Sequence, residues 1–324
     1  MKIWYLWEGQ LDGEVPGSYE MRRLLEVGQA RGHEVRVFDP LQVKLLCGEN
    51  ENHVNVFVDG LGREKPDVVM ARMGSATTYL CHAVLRHMLR NGVTVINHSS
   101  AVENAADKLR CMQILADKNV PIPRTMFARC PVDSEFITQK IGYPVIVKTL
   151  KGTQGGGVYL CETPDKLRDL SEILVHGGID NTPVLFQEFV AGSSGRDVRA
   201  FVVGGKVLAC MERKSTDGSF KSNITRGGVG QPVAITPAIE KIAIDTAEAL
   251  DLEVAGIDLL YADNGFKICE ANSAPDFRGL EKFCNVSVPE AIYDYMEAKH
   301  RKSLRDNAKK GGFLQRIMGM AKAA

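Results

Sequence analysis

Two segments in the second half of the 324-residue chain have the pattern of β-hairpins, and they constrain the fold more than any other feature. In the first, DVRAFVV and KVLACMER flank Gly204–Gly205; in the second, GIDLLYA and FKICEAN flank residues 263–265. Apolar runs around such turn residues predict antiparallel hairpins. A helix with Thr236 as its N-cap and Pro237 at its first position is predicted between them.

The first 95 residues have a different pattern, in which strand-length apolar runs alternate with helical segments. This alternation predicts a small parallel sheet, with strands in MKIWYLW, EVRVFD, DVVMAR and VTVINH and a helix whose N-cap is Ser18. Further along, one helix is predicted to begin near Ser99 or Ser100 and to include DKLRCMQILADKN. Two strands then flank a Gly-rich loop, and a helix follows with Thr163 as its cap. We therefore expect an α/β domain at 1–95, a second domain at 96–183, a hairpin-rich α+β domain at 184–300, and a basic, flexible tail at 301–324.

The charge balance and the cysteines exclude several classes of protein. Lys plus Arg and Asp plus Glu both number 40, so net charge indicates neither a nucleic-acid nor a membrane partner. No apolar stretch approaches the roughly 20 residues of a membrane span, and the N-terminus lacks a signal-peptide pattern. The eight cysteines are scattered without a CxxC pair, which favours buried free thiols in a cytoplasmic protein over disulfides or a zinc site.

Three oxygen-bearing side chains on the second hairpin predict a metal site. Glu270 and Asn272 lie two residues apart on one strand and so share a face. A three-residue loop would put Asp258 opposite Glu270, whereas a two-residue turn would shift the pairing by one position. Opposed carboxylates repel unless a cation lies between them, and oxygen ligands suit Mg²⁺ or Mn²⁺ better than zinc. A solvated sheet face is the alternative.

A lysine and a glycine cluster indicate a phosphate-binding segment. Lys148 ends the strand PVIVKTL, and the cluster that follows contains Gly155 and Gly156. Glycines leave backbone amides free to surround a phosphate, and the lysine adds a positive charge. Neither a Walker motif nor a Rossmann fingerprint is present, so a flexible turn is the alternative. In FQEFV, Glu188 could accept a hydrogen bond from a ribose hydroxyl or an adenine amine, or simply face solvent.

Four arginines are candidates for binding anionic groups. Arg199 lies in an otherwise apolar strand just after Asp197, and Arg226 lies in the loop SNITRGG; the other two are Arg72 and Arg213. Guanidinium groups bind carboxylates and phosphates through paired hydrogen bonds and can stabilise a transferring phosphoryl group. A surface salt bridge is the alternative for each.

In their order along the chain, these motifs resemble those of ATP-grasp enzymes, specifically the RimK-like glutamate ligases. The resemblance runs from about residue 67 to 282 and extends to residues 1–40, through PDVVMARMGSATTY, NHSSAVENAADKLRCMQILA, VIVKTLKGTQGGGV, QEFV, GRDVRAFVVGGKV, GSFKSNITRGG, AGIDLL and ICEANSAP. It implies a mixed α/β and α+β protein of three domains. These are an N-terminal pre-ATP-grasp domain with a parallel sheet, and two domains with antiparallel sheets that clasp ATP.

The resemblance also implies a role for each matching residue. ATP would contact Lys108, Lys148, Gly155, Gly156, Gln187, Glu188, Phe189, Asp197, Lys221, Ser222 and Asn223. Two Mg²⁺ or Mn²⁺ ions would bind Asp258, Glu270 and Asn272, in agreement with the hairpin argument. Catalytic roles would fall to Arg213 and Arg226, and substrate carboxylates would bind Arg72, Arg199 and Arg278.

The function implied is ATP-dependent ligation of a carboxylate and an amine through an acyl phosphate, with glutamate added to a protein, peptide or small molecule. A cytoplasmic dimer or tetramer is expected. Two alternatives stay open: another amino acid or acceptor, or a regulatory protein that binds nucleotide without turnover. Where the family commonly has NASPGLEG, this chain has NSAPDFRG, in which Ala274 replaces a serine, Asp276 a glycine and Arg278 an acidic residue. That segment lies near the acceptor site in the family, so the acceptor stays unassigned.

Overall fold

The computed structural model of the chain describes residues 1–13, 15–48, 56–150, 156–176, 183–222 and 228–321. Side chains are described for these residues except 75, 175, 176 and 307–321. The chain forms two compact units. The first comprises Met1–Met73, Thr77–Ser99 and Ser287–Ala324, and the second comprises Gly74–Ala76 and Ser100–Val286.

The helices and strands follow one another in a mixed order. Up to residue 96 they are β1 (Lys2–Leu6), α1 (Ser18–Ala30), β2 (Glu34–Phe38), β3 (Val43–Leu45), β4 (Val56–Val58), β5 (Leu61–Gly62), β6 (Val68–Ala71), α2 (Tyr79–Arg90) and β7 (Thr94–Ile96). From residue 99 they are α3 (Ser99–Ala106), α4 (Lys108–Asp117), β8 (Thr125–Arg129), α5 (Ser134–Lys140), β9 (Val145–Thr149), β10 (Val158–Cys161), α6 (Pro164–His176) and β11 (Pro183–Glu188). The remainder are β12 (Arg196–Val203), β13 (Lys206–Lys214), β14 (Val229–Val233), α7 (Pro237–Ala249), β15 (Val254–Ala262), β16 (Gly265–Asn272), α8 (Arg278–Cys284) and α9 (Val288–Ala321).

The first unit contains the predicted parallel sheet, in the order β2-β1-β6-β7. A small antiparallel sheet, β3-β4-β5, was not predicted. Helix α1 begins one residue earlier than expected: Gly17, with φ of 84°, occupies the N-cap position, so the prediction of Ser18 as the cap is wrong. Helix α9 supplies Val288, Ile292, Tyr293 and Met296 to the buried core of this unit.

The second unit contains two antiparallel sheets. The first, in the order β10-β9-β11-β8, packs one face against helices α5 and α6 around Val147 and Phe186. The second, in the order β14-β13-β12-β15-β16, packs one face against α4 and α7 around Val198, Ile257 and Ile268. Alternate side chains of its strands therefore point to the opposite face, where the site lies.

Several sequence predictions are confirmed at this level. The parallel sheet, both antiparallel sheets and the Gly204–Gly205 hairpin are present, and all eight cysteines are free thiols, five of them buried. Helix α7 is capped by Thr236 as predicted. None of the described helices has the length and hydropathy needed to cross a bilayer. The predicted division at 95, 183 and 300 stays a prediction; the structure assigns residues 287–300 to the first unit.

Candidate active site between the two antiparallel sheets

The second hairpin brings Asp258 and Glu270 directly opposite each other, as predicted. Its turn has two residues rather than three, because Ala262 pairs with Gly265. A β-bulge at Cys269 then restores the pairing, since Leu259 faces Ile268 while Asp258 faces Glu270. The site therefore depends on an irregularity of the strand, not on turn length.

Asp258 forms the centre of a cluster of four charged side chains on this face of the sheet. Its carboxylate accepts two parallel hydrogen bonds from Arg199, Nε to Oδ1 and Nη2 to Oδ2, both at 2.8 Å. Arg213 Nη2 lies 2.9 Å from Asp258 Oδ2. Arg213 also binds Asp197 through Nε at 2.8 Å and Nη2 at 2.5 Å. Strand register explains the cluster, because Arg199 pairs with Asp258 and Asp197 with Arg213.

Asp258 stays ionised although it is buried. Burial acts to raise the pKa of Asp258, but the charges of Arg199 and Arg213 outweigh burial and lower this pKa to about 2. Burial acts to lower the pKa of Arg213, but the charges of Asp258 and Asp197 outweigh burial and raise this pKa above its ordinary value. Two acids and two bases balance here, so each group is desolvated only together with a partner of opposite charge.

A cleft lies next to this cluster, between the two antiparallel sheets. It is lined by Ala105, Lys108, Cys111, Met112, Lys148, Leu185, Gln187, Cys269 and Glu270. Lys148 Nζ lies 3.7 Å from the Cys269 thiol, and Lys108 Nζ donates to the carbonyl oxygens of Thr149 at 3.3 Å and Leu150 at 3.4 Å. Two ammonium groups in one cleft provide a positive potential suited to phosphate.

The pKa of Lys108 reflects this crowding. Burial is the largest influence and lowers the pKa, Glu270 acts to raise it, and Lys148 acts to lower it further; the net shift is downward. A ligand with several negative charges would offset both effects, because it compensates the buried ammonium and shields it from the other lysine.

Glu188 connects the two sheets. Its carboxylate accepts from Lys267 Nζ at 3.0 and 2.9 Å and from the backbone amide of Arg124 at 3.1 Å. Burial acts to raise the pKa of Glu188, but these hydrogen bonds outweigh burial and lower it. Gln187 is buried, and its side-chain amide donates to Thr125 Oγ1 at 2.9 Å.

The other predicted residues are dispersed around this centre. Asn272 Nδ2 donates to the carbonyl oxygen of Gly256 at 3.5 Å, and Phe189 is half-buried just after β11. Gly156 precedes β10, and Lys221 and buried Ser222 follow β13 along the chain. Three predicted residues lie outside the described ranges: Gly155, Asn223 and Arg226.

Two of the predicted substrate arginines lie outside this cluster. Arg72 belongs to the first unit, where it follows β6 at the carboxyl edge of the parallel sheet and is buried. Arg278 is the first residue of α8, is exposed, and is not among the residues that line the described part of the cleft. Only Arg199 and Arg213 of the described arginine candidates take part in the charge cluster.

Sequence reasoning missed Cys269 and Lys267 as parts of the site. The spacing of two apolar residues is consistent with the bulge: Ile268 and Ala271 are three residues apart, yet both belong to the same hydrophobic core. A regular strand would place them on opposite faces. The ion pair of Lys267 with Glu188 joins strands 79 residues apart, and nothing in the local sequence predicts it.

The donor set at the hairpin suits a hard divalent cation by its chemistry. Asp258, Glu270 and Asn272 offer carboxylate and amide oxygens. The described residues contain no group of three or more His, Cys, Asp or Glu arranged to hold a metal ion, so any cation here would need the amide or ligand phosphates in addition. Magnesium sites in nucleotide-binding proteins are completed in that way.

Two family models match the chain. The model of the RimK PreATP-grasp domain matches residues 13–102, and the model of the RimK-like ATP-grasp domain matches residues 105–296. A protein named probable alpha-L-glutamate ligase from Thioalkalivibrio sulfidiphilus is 38% identical over 87% of this chain and 93% of its own length. Probable alpha-L-glutamate ligase 1 from Shewanella amazonensis is 38% identical over 91% of this chain and 97% of its own length.

Solved structures share the fold at lower identity. The ATP-grasp ligase PsnB complexed with a minimal precursor has a TM-score of 0.70 and 23% identity, over 92% of this chain and 98% of that one. D-alanine–D-alanine ligase from Bacillus anthracis complexed with ATP has a TM-score of 0.62 and 16% identity, over 96% of this chain and 99% of that one. The predicted ATP-grasp fold is thereby confirmed.

Proposed function

The chain belongs to the RimK-like ATP-grasp family and is an ATP-dependent ligase, and we propose that it joins L-glutamate to an acceptor through an amide bond. The proposal of glutamate rests on relatives of nearly equal length that are named alpha-L-glutamate ligases. One observation in the structure supports ATP-dependent ligation above others: Lys108, Lys148 and Glu270 line one cleft beside the ionised Asp258. This is the arrangement that a nucleotide triphosphate with a divalent cation requires.

The proposed reaction has two steps. A carboxylate oxygen attacks the γ-phosphorus of ATP, so that ADP leaves and an acyl phosphate forms. The amine then attacks the acyl carbon, inorganic phosphate leaves with one of the original carboxylate oxygens, and the amine proton passes to solvent. Positioning and charge neutralisation are sufficient for both steps, without a covalent enzyme intermediate.

Residues of the cleft would divide these tasks. Lys108 and Lys148 would bind the phosphates, and Glu188 with Phe189 would contact the adenine. Asp258, Glu270 and Asn272 would hold Mg²⁺, which neutralises phosphate charge when bound; two ions are proposed from the resemblance. Arg213 is a candidate for stabilising the transferring phosphoryl group, which its distance of 2.9 Å from Asp258 supports.

A screen of single amino acids for Mg²⁺-dependent phosphate release from ATP, with mass spectrometry of the products, tests this function. We expect release with L-glutamate and products heavier by one or more glutamyl residues, either alone or after addition of cell extract as a source of acceptor. Lys148→Met should abolish release, whereas Lys140→Met, which removes an exposed lysine from α5, should not. ATP binding without turnover under all of these conditions would instead support a regulatory nucleotide-binding protein.

A further inference from the structure

We propose that Asp258 exchanges partners during the reaction cycle: Arg199 binds it as seen in the structure, and gives it up to a divalent cation when nucleotide binds. The released guanidinium then binds a substrate carboxylate. The inference rests on the proposed function, because it assumes that the hairpin carboxylates receive the cation.

Asp258 has little remaining capacity for a cation in this structure. Its two oxygens accept from Arg199 at 2.8 Å each and from Arg213 at 2.9 Å, and the residue is 5% exposed. Three of the roughly four lone pairs of the carboxylate are used by these contacts, so a cation at Asp258 competes with Arg199 and Arg213 for the same two oxygens.

Arg199 is the donor that can leave. Arg213 is held by Asp197 as well as Asp258, and its side chain is 5% exposed. Among the described residues, Asp258 is the only acid paired with Arg199, whose side chain is 15% exposed. Displacement of Arg213 would leave Asp197 buried without its partner, which costs several kcal/mol. Displacement of Arg199 leaves no such acid behind, because the cation compensates Asp258.

The released guanidinium would lie beside the segment that the resemblance associates with the acceptor. A Cβ atom on Gly256 would lie 2.6 Å from Cβ of Pro275 and 3.7 Å from Nε of Arg199. The absence of a side chain at Gly256 thus lets the segment around Pro275 approach Arg199. A planar guanidinium that has lost a carboxylate partner is suited to bind another carboxylate bidentately.

The exchange predicts coupling between the cation and the substrate. Free energies of binding are reciprocal, so a cation that frees Arg199 must strengthen carboxylate binding, and the carboxylate must strengthen cation binding by the same factor. Coupling of this kind is typically on the order of 5- to 150-fold. The acid substrate would therefore bind more tightly when the cation is bound than when it is absent.

Titration with Mn²⁺ followed by electron paramagnetic resonance, with a non-hydrolysable ATP analogue present, tests the exchange. Arg199→Lys keeps the charge but loses the bidentate geometry, so we expect Mn²⁺ affinity to rise about fivefold or more. The control Arg196→Lys alters an arginine of the same strand that binds the carbonyl oxygen of Gly192, and it should leave Mn²⁺ affinity unchanged. Equal or weaker Mn²⁺ binding in Arg199→Lys would overturn the exchange.

Calorimetry with L-glutamate and the same analogue, with and without Mg²⁺, measures the coupling directly. Wild type should bind glutamate on the order of tenfold more tightly with Mg²⁺, and Arg199→Gln should lose this dependence. Persistence of the full coupling in Arg199→Gln would contradict the release. Failure of wild type to bind Mn²⁺ with the analogue would refute the proposed metal site and the exchange with it. Failure to bind glutamate in either condition would refute only the proposed substrate, because the Mn²⁺ titration still decides the exchange.

Discussion

Asp258 and Glu270 are opposite each other but have different environments. Asp258 is buried and bound by two arginines, whereas Glu270 is exposed at the mouth of the cleft. Removal of the Asp258 carboxylate would leave Arg199 and Arg213 without their shared partner, at a cost of about 3–5 kcal/mol. Asp258→Ala is therefore expected to lower stability as well as to remove an oxygen ligand, and Glu270 offers the cleaner test.

Glu270→Gln should reduce Mg²⁺-dependent ATP turnover by about 10²- to 10³-fold, because it removes one charged oxygen ligand where phosphate charge must be neutralised. The free energy of unfolding should change by less than about 0.5 kcal/mol, since the side chain is exposed. Steady-state kinetics and thermal melts measure the two effects. Glu248→Gln, an exposed change on α7, is the matched control and should alter neither. Retention of full turnover in Glu270→Gln would refute the metal assignment.

Sequence alone could identify the residue types of the site but not their partners. Lys148, Glu270 and Asp258 were predicted from local pattern, and the opposition of the last two is confirmed. The pairing of Arg199 with Asp258 was not predicted, because it depends on β12 lying beside β15 in the sheet. Strand order within a sheet is decided by contacts far apart in sequence, which a local pattern does not contain.

Helix α1 packs closely against α9 at Gly28. A Cβ atom on Gly28 would lie 2.2 Å from the hydroxyl oxygen and 2.7 Å from Cζ of Tyr293, and 2.7 Å from Cγ2 of Val35. The Tyr293 hydroxyl also donates to the carbonyl oxygen of Leu24 at 2.7 Å. The close approach of the two helices therefore requires glycine at this position.

Gly28→Ala should destabilise the protein by about 1–3 kcal/mol. In an exposed helix the same change would stabilise by about 1 kcal/mol through helix propensity, so the sign of the effect reports the clash with Tyr293. Denaturant unfolding measures it. Gln29→Ala, on the exposed side of the same helix, is the control and should have little effect. Stabilisation by Gly28→Ala would show that α9 does not pack here.

An acid-sensitive set of ion pairs also joins α9 to the residues that directly follow α1. Glu297 accepts from Arg31 Nε and from His33 Nε2, both at 3.1 Å, and Arg31 also binds Glu290 at 2.5 Å and Asp294 at 2.7 Å. Burial acts to raise the pKa of Glu297, but the hydrogen bonds from His33 and Arg31 outweigh burial and lower it. A carboxyl group whose pKa falls on folding stabilises the folded state only while it is ionised.

The contribution of Glu297 should therefore be complete above its unfolded pKa of about 4.3 and be lost as the pH falls through its lower folded value. Hydrogen exchange of the α9 amides in wild type and Glu297→Gln measures this. The variant should exchange faster at pH 7, and the difference should shrink as acidification protonates Glu297 in the folded protein. A difference that is equal at pH 7 and pH 3 would contradict the assignment.

At the scale of elements, the strands of the parallel sheet and both hairpins were predicted correctly, but the break between helices α3 and α4 was not predicted. All four strands of the parallel sheet and both hairpins follow from apolar runs and turn residues. The helix predicted to begin near Ser99 is two helices, because the Asp107 side chain caps a second one through the amides of Leu109 and Arg110. A cap residue inside an apolar helical pattern permits either outcome.

The C-terminal segment was predicted to be a flexible tail beyond residue 300, and the structure shows one helix from Val288 to Ala321. Its first turns contribute four fully buried side chains to the first unit, which is built mainly from residues before 100. Helical periodicity indicates that a face is buried but not which unit covers it. This return of the chain to the first unit could not be read from the sequence.

Deletion of residues 287–324 should unfold the first unit. Val288, Ile292, Tyr293 and Met296 are each 0% exposed, and burial of one such side chain contributes about 1.5–3 kcal/mol. Their combined loss is comparable to the whole stability of a domain, about 5–15 kcal/mol. Limited proteolysis should cleave the first unit rapidly in this variant. Deletion of 307–324 alone should leave it protected, and equal protection in both variants would contradict the assignment of α9.

The molecule as a whole is proposed to activate a carboxylate by phosphorylation, and transfer of oxygen-18 tests that claim most directly. In the phosphate-release assay, the carboxylate group of each carboxylic substrate is labelled with oxygen-18 in turn. The released inorganic phosphate is then examined by mass spectrometry. An acyl phosphate mechanism predicts that label from one substrate, either the amino acid or the acceptor but not both, appears as one labelled oxygen in phosphate. Unlabelled phosphate with both partners, or label in AMP, would contradict the mechanism and the function built on it.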